Sequence, residues 1–225
     1  MNREGKKAFY AGVLLIAAFA LFTMLVQRVD VQAVGVHGTD VGFAALNTCF
    51  HRMTGVHMRI YHVTDWLSLV PVGVCLYFAG LGFVQWLKRK SLLLVDADLL
   101  LLGVYYAVVI GCYMGFEMIP VHYRPVLIDG RMEASYPSST TLLVLSVMPT
   151  LAFQVKRRFI KAGRCVSLLT MLFTSLMVLG RLISGVHWLV DIVGASLLSA
   201  GLFYLYKAAV LFVEMLVGGT RRGVS

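Results

Sequence analysis

The chain of 225 residues is 59% hydrophobic and 14% charged, with a formal net charge of +9. Apolar runs of about 20 residues recur along it, each long enough to cross a bilayer, which excludes a soluble domain. Its basic residues sit in short loops beside those runs, so the positive balance reads as a membrane-topology signal and argues against nucleic acid as a partner.

The first run, residues 9–26, follows Arg3, Lys6 and Lys7. It has the flanks of a signal peptide but exceeds an h-region and lacks a small-residue cleavage site, so it reads as an uncleaved anchor. After the turn-prone Gly35-Val36-His37-Gly38, the residues Phe43, Leu46, Phe50 and Met53 recur at helical spacing against Asn47, His51 and Arg52. That pattern predicts a helix lying in the membrane interface. His51, His57 and His62 fall in this stretch as interfacial polar residues, and His57, one turn beyond Met53, lies on its apolar side. Further spans are predicted over residues 64–86, 97–118, 139–155, 165–179 and 186–217. The expected fold is an all-α polytopic membrane protein: one membrane domain over 1–225, a bundle of six transmembrane helices with an interfacial helix between the first and second.

Lys88-Arg89-Lys90, the group Lys156, Arg157, Arg158, Lys161 and Arg164, and Arg221-Arg222 fall on the side of the basic N-terminus. By the positive-inside rule both termini are cytoplasmic, in a plasma or bacterial inner membrane, and the loops 27–63, 119–138 and 180–185 face outward. Cys75, Cys112 and Cys165 lie in or beside spans and Cys49 in an outer loop, so no disulfide framework is implied. No Cys/His spacing suits structural zinc.

The polar motifs converge on the outer side. Gly180 to Asp191 forms a polar island between two apolar runs, and ionisable groups at a membrane helix end lose water and need partners. A helix starting near Gly185 puts His187 and Asp191 at i and i+4 on one face. The carboxylate then holds one ring nitrogen and leaves the other as a nucleophile or base. Arg181 offers a planar fork matched to phosphate oxygens. Arg124, before Pro125, is restricted to extended backbone. Ser138 reads as the N-cap of the fourth span, and the first-turn amides with the hydroxyls of Ser139 and Thr140 make an anion-binding end. Arginines, a helix N-terminus and a His/Asp pair on one membrane face suit phosphoryl transfer, with no metal or cofactor required.

These residues resemble the motifs of the type 2 phosphatidic acid phosphatase family, membrane lipid phosphatases related to vanadium haloperoxidases. The family's third motif, Ser-Arg, five residues, His, three residues, Asp, is matched by Arg181, His187 and Asp191, with Gly180 at the serine. The resemblance implies a six-helix fold, a His187 nucleophile oriented by Asp191, and Arg181 as a phosphate ligand. The first motif, Lys, six residues, Arg-Pro, is matched at Arg124 and Pro125, with Glu117 at the lysine. The second, Pro-Ser-Gly-His, is matched at Pro137 and Ser138, with Ser139 and Thr140 at the last two positions.

Threonine has no usable acidity near neutrality, so Thr140 cannot replace the family's histidine as general acid. Glu117, His122, Glu133 and His57 are the candidate substitutes. A missing acid also points towards a diphosphate or diester substrate, whose leaving group needs less protonation. The expected function is therefore a lipid phosphate or diphosphate phosphatase or phosphotransferase acting from the outer face. The alternatives are a non-catalytic relative that binds or presents lipid phosphates, and a small transporter, against which stand the scarcity of mid-span charges and the absence of repeated halves. Alanine at each candidate acid, assayed for turnover, is expected to lower the rate at the one that donates the proton.

Overall fold

The structure, a computed structural model, describes residues 3–222; the side chains of Lys161, Arg221 and Arg222, part of the basic bias above, lie outside the described set. It is all-helical apart from isolated bridges, and six of its helical stretches are long and apolar enough to cross a membrane. In chain order the helices are α1 (Arg3–Val26), α2 (Ala44–Thr54), α3 (Met58–Leu67), α4 (Leu69–Arg89), α5 (Ala97–Met118), α6 (Ser139–Arg158), α7 (Ile160–Ile183) and α8 (Leu189–Arg222). The short helix between the first two spans is α2, over the stretch where apolar residues recurred at helical spacing. The second span begins earlier than residue 64, because α3 runs into α4 as one stretch, Met58–Arg89. Its polar Arg59 and His62 read as loop, yet they lie on the exposed side of a helix that buries Tyr61 and Thr64.

α8 is the central post, packing along α1 and against α5 and α6. Small residues permit this. A Cβ added at Gly12 would come 2.9 Å from the Leu205 amide nitrogen, and one at Gly201 would come 2.8 Å from Ile16 Cδ1. Close backbone approach of this kind is how membrane helices associate when lipid is as apolar as their side chains.

α6 is the least apolar of the six spans and the most enclosed. Ser146, Thr150 and Gln154, spaced four apart, share one buried face. Tyr105 donates to the Ser146 carbonyl at 3.0 Å, Tyr106 and Thr150 hydroxyls meet at 2.7 Å, and the Gln154 amide donates to Tyr206 at 2.7 Å. Polar groups in a membrane interior require such internal partners.

The turn before α8 is held from the α2–α3 side. Gly185 has φ +68°, and a Cβ there would stand 1.9 Å from the Gly55 carbonyl oxygen. The His57 amide donates to the Ser184 carbonyl at 2.9 Å, and His51 Nε2 lies 3.0 Å from the Gly185 carbonyl. Gly185→Ala is expected to cost about 2 kcal/mol or more, seen as a lowered melting temperature in detergent. Gly103→Ala, on α5 with nothing within 4 Å of the added carbon, is the control expected to be neutral or stabilising.

Candidate active site

A small hairpin between α5 and α6 places half of the site. Asp129 and Gly130, with φ of +49° and +74°, form its turn, and the Ile128 and Arg131 amides and carbonyls exchange bonds of 3.0 and 2.9 Å. Both central residues of a type I′ turn need positive φ, which Asp-Gly supplies. Further along, the Arg124 amide donates to the Glu133 carbonyl at 3.1 Å and the Ser135 amide to the His122 carbonyl at 3.0 Å. This register sets His122 opposite Ser135 and Arg124 opposite Glu133, with side chains alternating between faces.

His122 and Ser135 both reach Asp191. His122 Nε2 lies 2.6 Å from Asp191 Oδ1, and the Ser135 hydroxyl donates to Oδ2. Oδ2 also accepts the Trp188 amide at 2.8 Å and faces His187 Nδ1 at 3.3 Å. Asp191 is the third residue of α8, and its bond back to the Trp188 amide is one half of a capping box. α8 therefore starts at Leu189, later than the expected start near Gly185, and His187 precedes the helix. The His/Asp contact survives this change because the cap folds the preceding turn onto the carboxylate. With Nδ1–H directed at Asp191 and Ser135, the lone pair of His187 resides on Nε2, which is buried without a hydrogen-bond partner.

Two guanidinium groups complete the site. Arg181, on the last turn of α7, is 1% exposed; its Nη2 donates to Asp65 Oδ1 at 3.0 Å and to the Thr140 hydroxyl. Its Nε and Nη1 are buried without partners, as is Arg124 Nη1. Arg124 Nη2 pairs with Glu133 at 3.1 Å. The Arg181 and Arg124 Cζ atoms lie 4.7 and 5.8 Å from the centre of the Tyr61 ring, whose negative faces suit cations. Polar donors this enclosed point to an anionic ligand, since leaving them unpaired is costly.

A model of the PAP2 superfamily matches residues 104–213, which takes in the hairpin, α6, α7 and most of α5 and α8. Residues 104–213 belong to the PAP2 superfamily. The fold of the chain is similar to the crystal structure of a transmembrane PAP2-type phosphatidylglycerolphosphate phosphatase from Bacillus subtilis, with a TM-score of 0.64 and 17% identity over 91% of this chain and 98% of that one. No curated protein matches it in sequence.

In this PAP2 chain the residues singled out in the sequence separate into three groups. His187, Asp191, Arg124, Arg181 and Thr140 come together. Ser138 occupies the N-cap position of α6, but its hydroxyl donates to the Thr141 hydroxyl at 3.0 Å and accepts no bond from the first-turn amides. Its own amide donates to the Asp191 carbonyl at 3.2 Å, tying α6 to α8. Ser139 lines a cavity beside Thr140. Among the four candidate acids, Glu117 is exposed on the last turn of α5 and does not pair with Arg124, which takes Glu133. His57 turns its Nε2 to the Thr54 carbonyl, 2.9 Å away. His122 is engaged with Asp191. The sequence reading did not single out Ser135, Tyr61 or Asp65; the Asp129-Gly130 turn was the available signal for the first, by its effect on register.

Burial pushes the His187 imidazole down to about 4, against the pull of the Asp191 hydrogen bond. The native state therefore holds it neutral near pH 7, and the unfolded chain takes up the proton more readily. Stability contributed by His187 is intact above its unfolded value of about 6.5 and falls as pH drops towards the folded one. By about pH 5 the loss is expected to reach roughly 2 kcal/mol, seen as a larger drop in melting temperature for the native protein than for His187→Gln.

Proposed function

We propose that this PAP2 protein is an integral-membrane lipid phosphatase that works through a phosphohistidine at His187. The observation that carries the reading is the buried, unpartnered His187 Nε2 in a site with the open donors of Arg124 and Arg181. Those donors match the oxygens of a phosphoryl group, whose charge must be held while the nucleophile is placed in line.

In the first half-reaction the Nε2 lone pair attacks phosphorus and the P–O bond to the lipid breaks. The ring becomes cationic as the P–N bond forms, and Asp191, directed at Nδ1–H, stabilises it without taking the proton. Ser135 and the Trp188 amide fix the carboxylate, so the imidazole is oriented before substrate arrives. Water then attacks phosphorus, the P–N bond breaks, and inorganic phosphate leaves with neutral His187 restored.

The site lies at the span ends opposite Lys88, Arg89, Lys156, Arg157 and Arg158, which close the cytoplasmic ends of α4 and α6 under the positive-inside rule. The reaction accordingly faces outward, on a lipid phosphate held in the bilayer.

Phosphate release by the purified protein from a panel of lipid phosphates, in chelator, is expected to fall by at least about 1,000-fold in His187→Ala. Acid-labile radiolabel retained on the native protein and lost in that variant identifies the phosphohistidine. Binding of lipid phosphates by both proteins with turnover by neither would instead make the chain a lipid-phosphate binder.

A further inference from the structure

The phosphatase reading leaves one chemical requirement open. When the P–O bond of an alkyl phosphate breaks, the departing oxygen needs a proton, and the Thr140 hydroxyl has no usable acidity for this. His122 Nε2 is occupied by Asp191 Oδ1, His57 Nε2 faces the Thr54 carbonyl, Glu117 is exposed on the last turn of α5, and Glu133, held on Arg124, does not line the cavity beside Thr140. The requirement falls on a different residue, outside the segment matched by the superfamily model.

Asp65 stands on the last turn of α3, with its Oδ1 3.0 Å from Arg181 Nη2, the nitrogen that also holds Thr140. Its presence there follows from Gly180. A Cβ at Gly180 would come 2.6 Å from Thr64 Cγ2, so the glycine lets α3 lie close against α7 and brings the residue after Thr64 onto the guanidinium. Arg181 is 2% exposed in its side chain whereas Asp65 is 56% exposed, so the carboxyl faces open space from the enclosed cation.

That space is a cavity of about 330 Å³ between the α3–α4 junction, α5 and α6. Asp65, Ser68 and Thr140 line its polar part, and Val109, Ile110 and Leu143 its apolar part. No lysine or arginine is among its lining residues. A phosphoryl group on the open donors of Arg124 and Arg181 has room for its ester chain on this side, next to the carboxyl.

We propose that Asp65 is the general acid of this site, protonating the leaving oxygen of a phosphate monoester whose apolar chain occupies the cavity between α4, α5 and α6. The inference rests on the phosphohistidine reading. As His187 Nε2 bonds to phosphorus, the P–O bond breaks and the Asp65 carboxyl proton passes to the departing oxygen, giving a neutral alcohol and a carboxylate. In the second half-reaction water attacks phosphorus, the P–N bond breaks, phosphate leaves carrying the water's protons, and the exposed Asp65 carboxylate is reprotonated from solvent. The cavity has no basic lining residue to hold a second phosphate on the leaving group. The substrate class therefore moves from diphosphates to monoesters.

The test compares two substrates in the full-length protein in detergent: a long-chain alkyl phosphate, whose leaving alkoxide needs a proton, and nitrophenyl phosphate, whose leaving group does not. Asp65→Asn is expected to lose about 100-fold or more in kcat on the alkyl phosphate and less than about threefold on nitrophenyl phosphate. Retained nitrophenyl turnover also reports that the variant is folded, and Asp65→Ser gives the same comparison if the asparagine variant does not survive purification. Equal losses on both substrates make Asp65 a positioning residue for Arg181 and overturn the proposal, as does an unchanged rate on the alkyl phosphate. His187→Ala separates the two readings: if it keeps wild-type rates on both substrates, the phosphohistidine reading fails and this one with it. If His187→Ala is inactive while Asp65→Asn matches the native protein, only the assignment of Asp65 fails.

Discussion

Everything at the end of the bundle where α8 begins depends on the burial of one carboxylate. Asp191 is 0% exposed, and a charge in such a place is tolerated only when its oxygens are satisfied. Its donors come from both strands of the hairpin, through His122 and Ser135, and from the turn before α8, through Trp188 and His187. These segments are up to 69 residues apart in sequence. Satisfying the carboxylate thus folds the loop after α5 against the start of α8, and the histidine is oriented as part of the same arrangement. Removing any donor leaves a charge underpaired, so the geometry of the site and the stability of this end of the bundle are one property.

The arginines obey a related constraint. Each pairs one nitrogen with a carboxylate, Arg181 with Asp65 and Arg124 with Glu133, and leaves others open towards the site. Partial pairing keeps two cations tolerable beside each other in a poorly hydrated place, while retaining donors for a ligand. Tyr61 adds an aromatic ring beside both. The site therefore holds positive charge that is positioned but not fully spent on internal partners.

How far this was legible in the sequence depends on the range of the determining contacts. The spans could be read because length and apolarity are local, and Arg181, His187 and Asp191 could be read because they lie within eleven residues. The start of α8 was misplaced because an aspartate side chain, not a hydrophobic period, decides where the helix begins. The hairpin was passed over as loop between two spans, although Asp129-Gly130 names its turn, and with it went the pairing of His122 with Ser135 across the register. Asp65 was beyond reach: its place on Arg181 comes from the contact of Gly180 with Thr64, which joins α3 to α7 across 116 residues. Neither residue carries a pattern that announces the other.

The polar face of α6 bears on how the protein is made. A span whose Ser146 carbonyl, Thr150 hydroxyl and Gln154 NH2 group are met by Tyr105, Tyr106 and Tyr206 is stable in lipid in the company of α5 and α8, and poorly so alone. During synthesis α8 emerges after α6, so α6 rests in loose contact with α5 until α8 arrives to take up its Gln154. The N-terminal end of α6 carries Ser138 and Thr140, the first tied to α8 and the second to α7. Insertion of α8 and completion of the site around Asp191 are then the same late event, and a chain interrupted before α8 carries no assembled site.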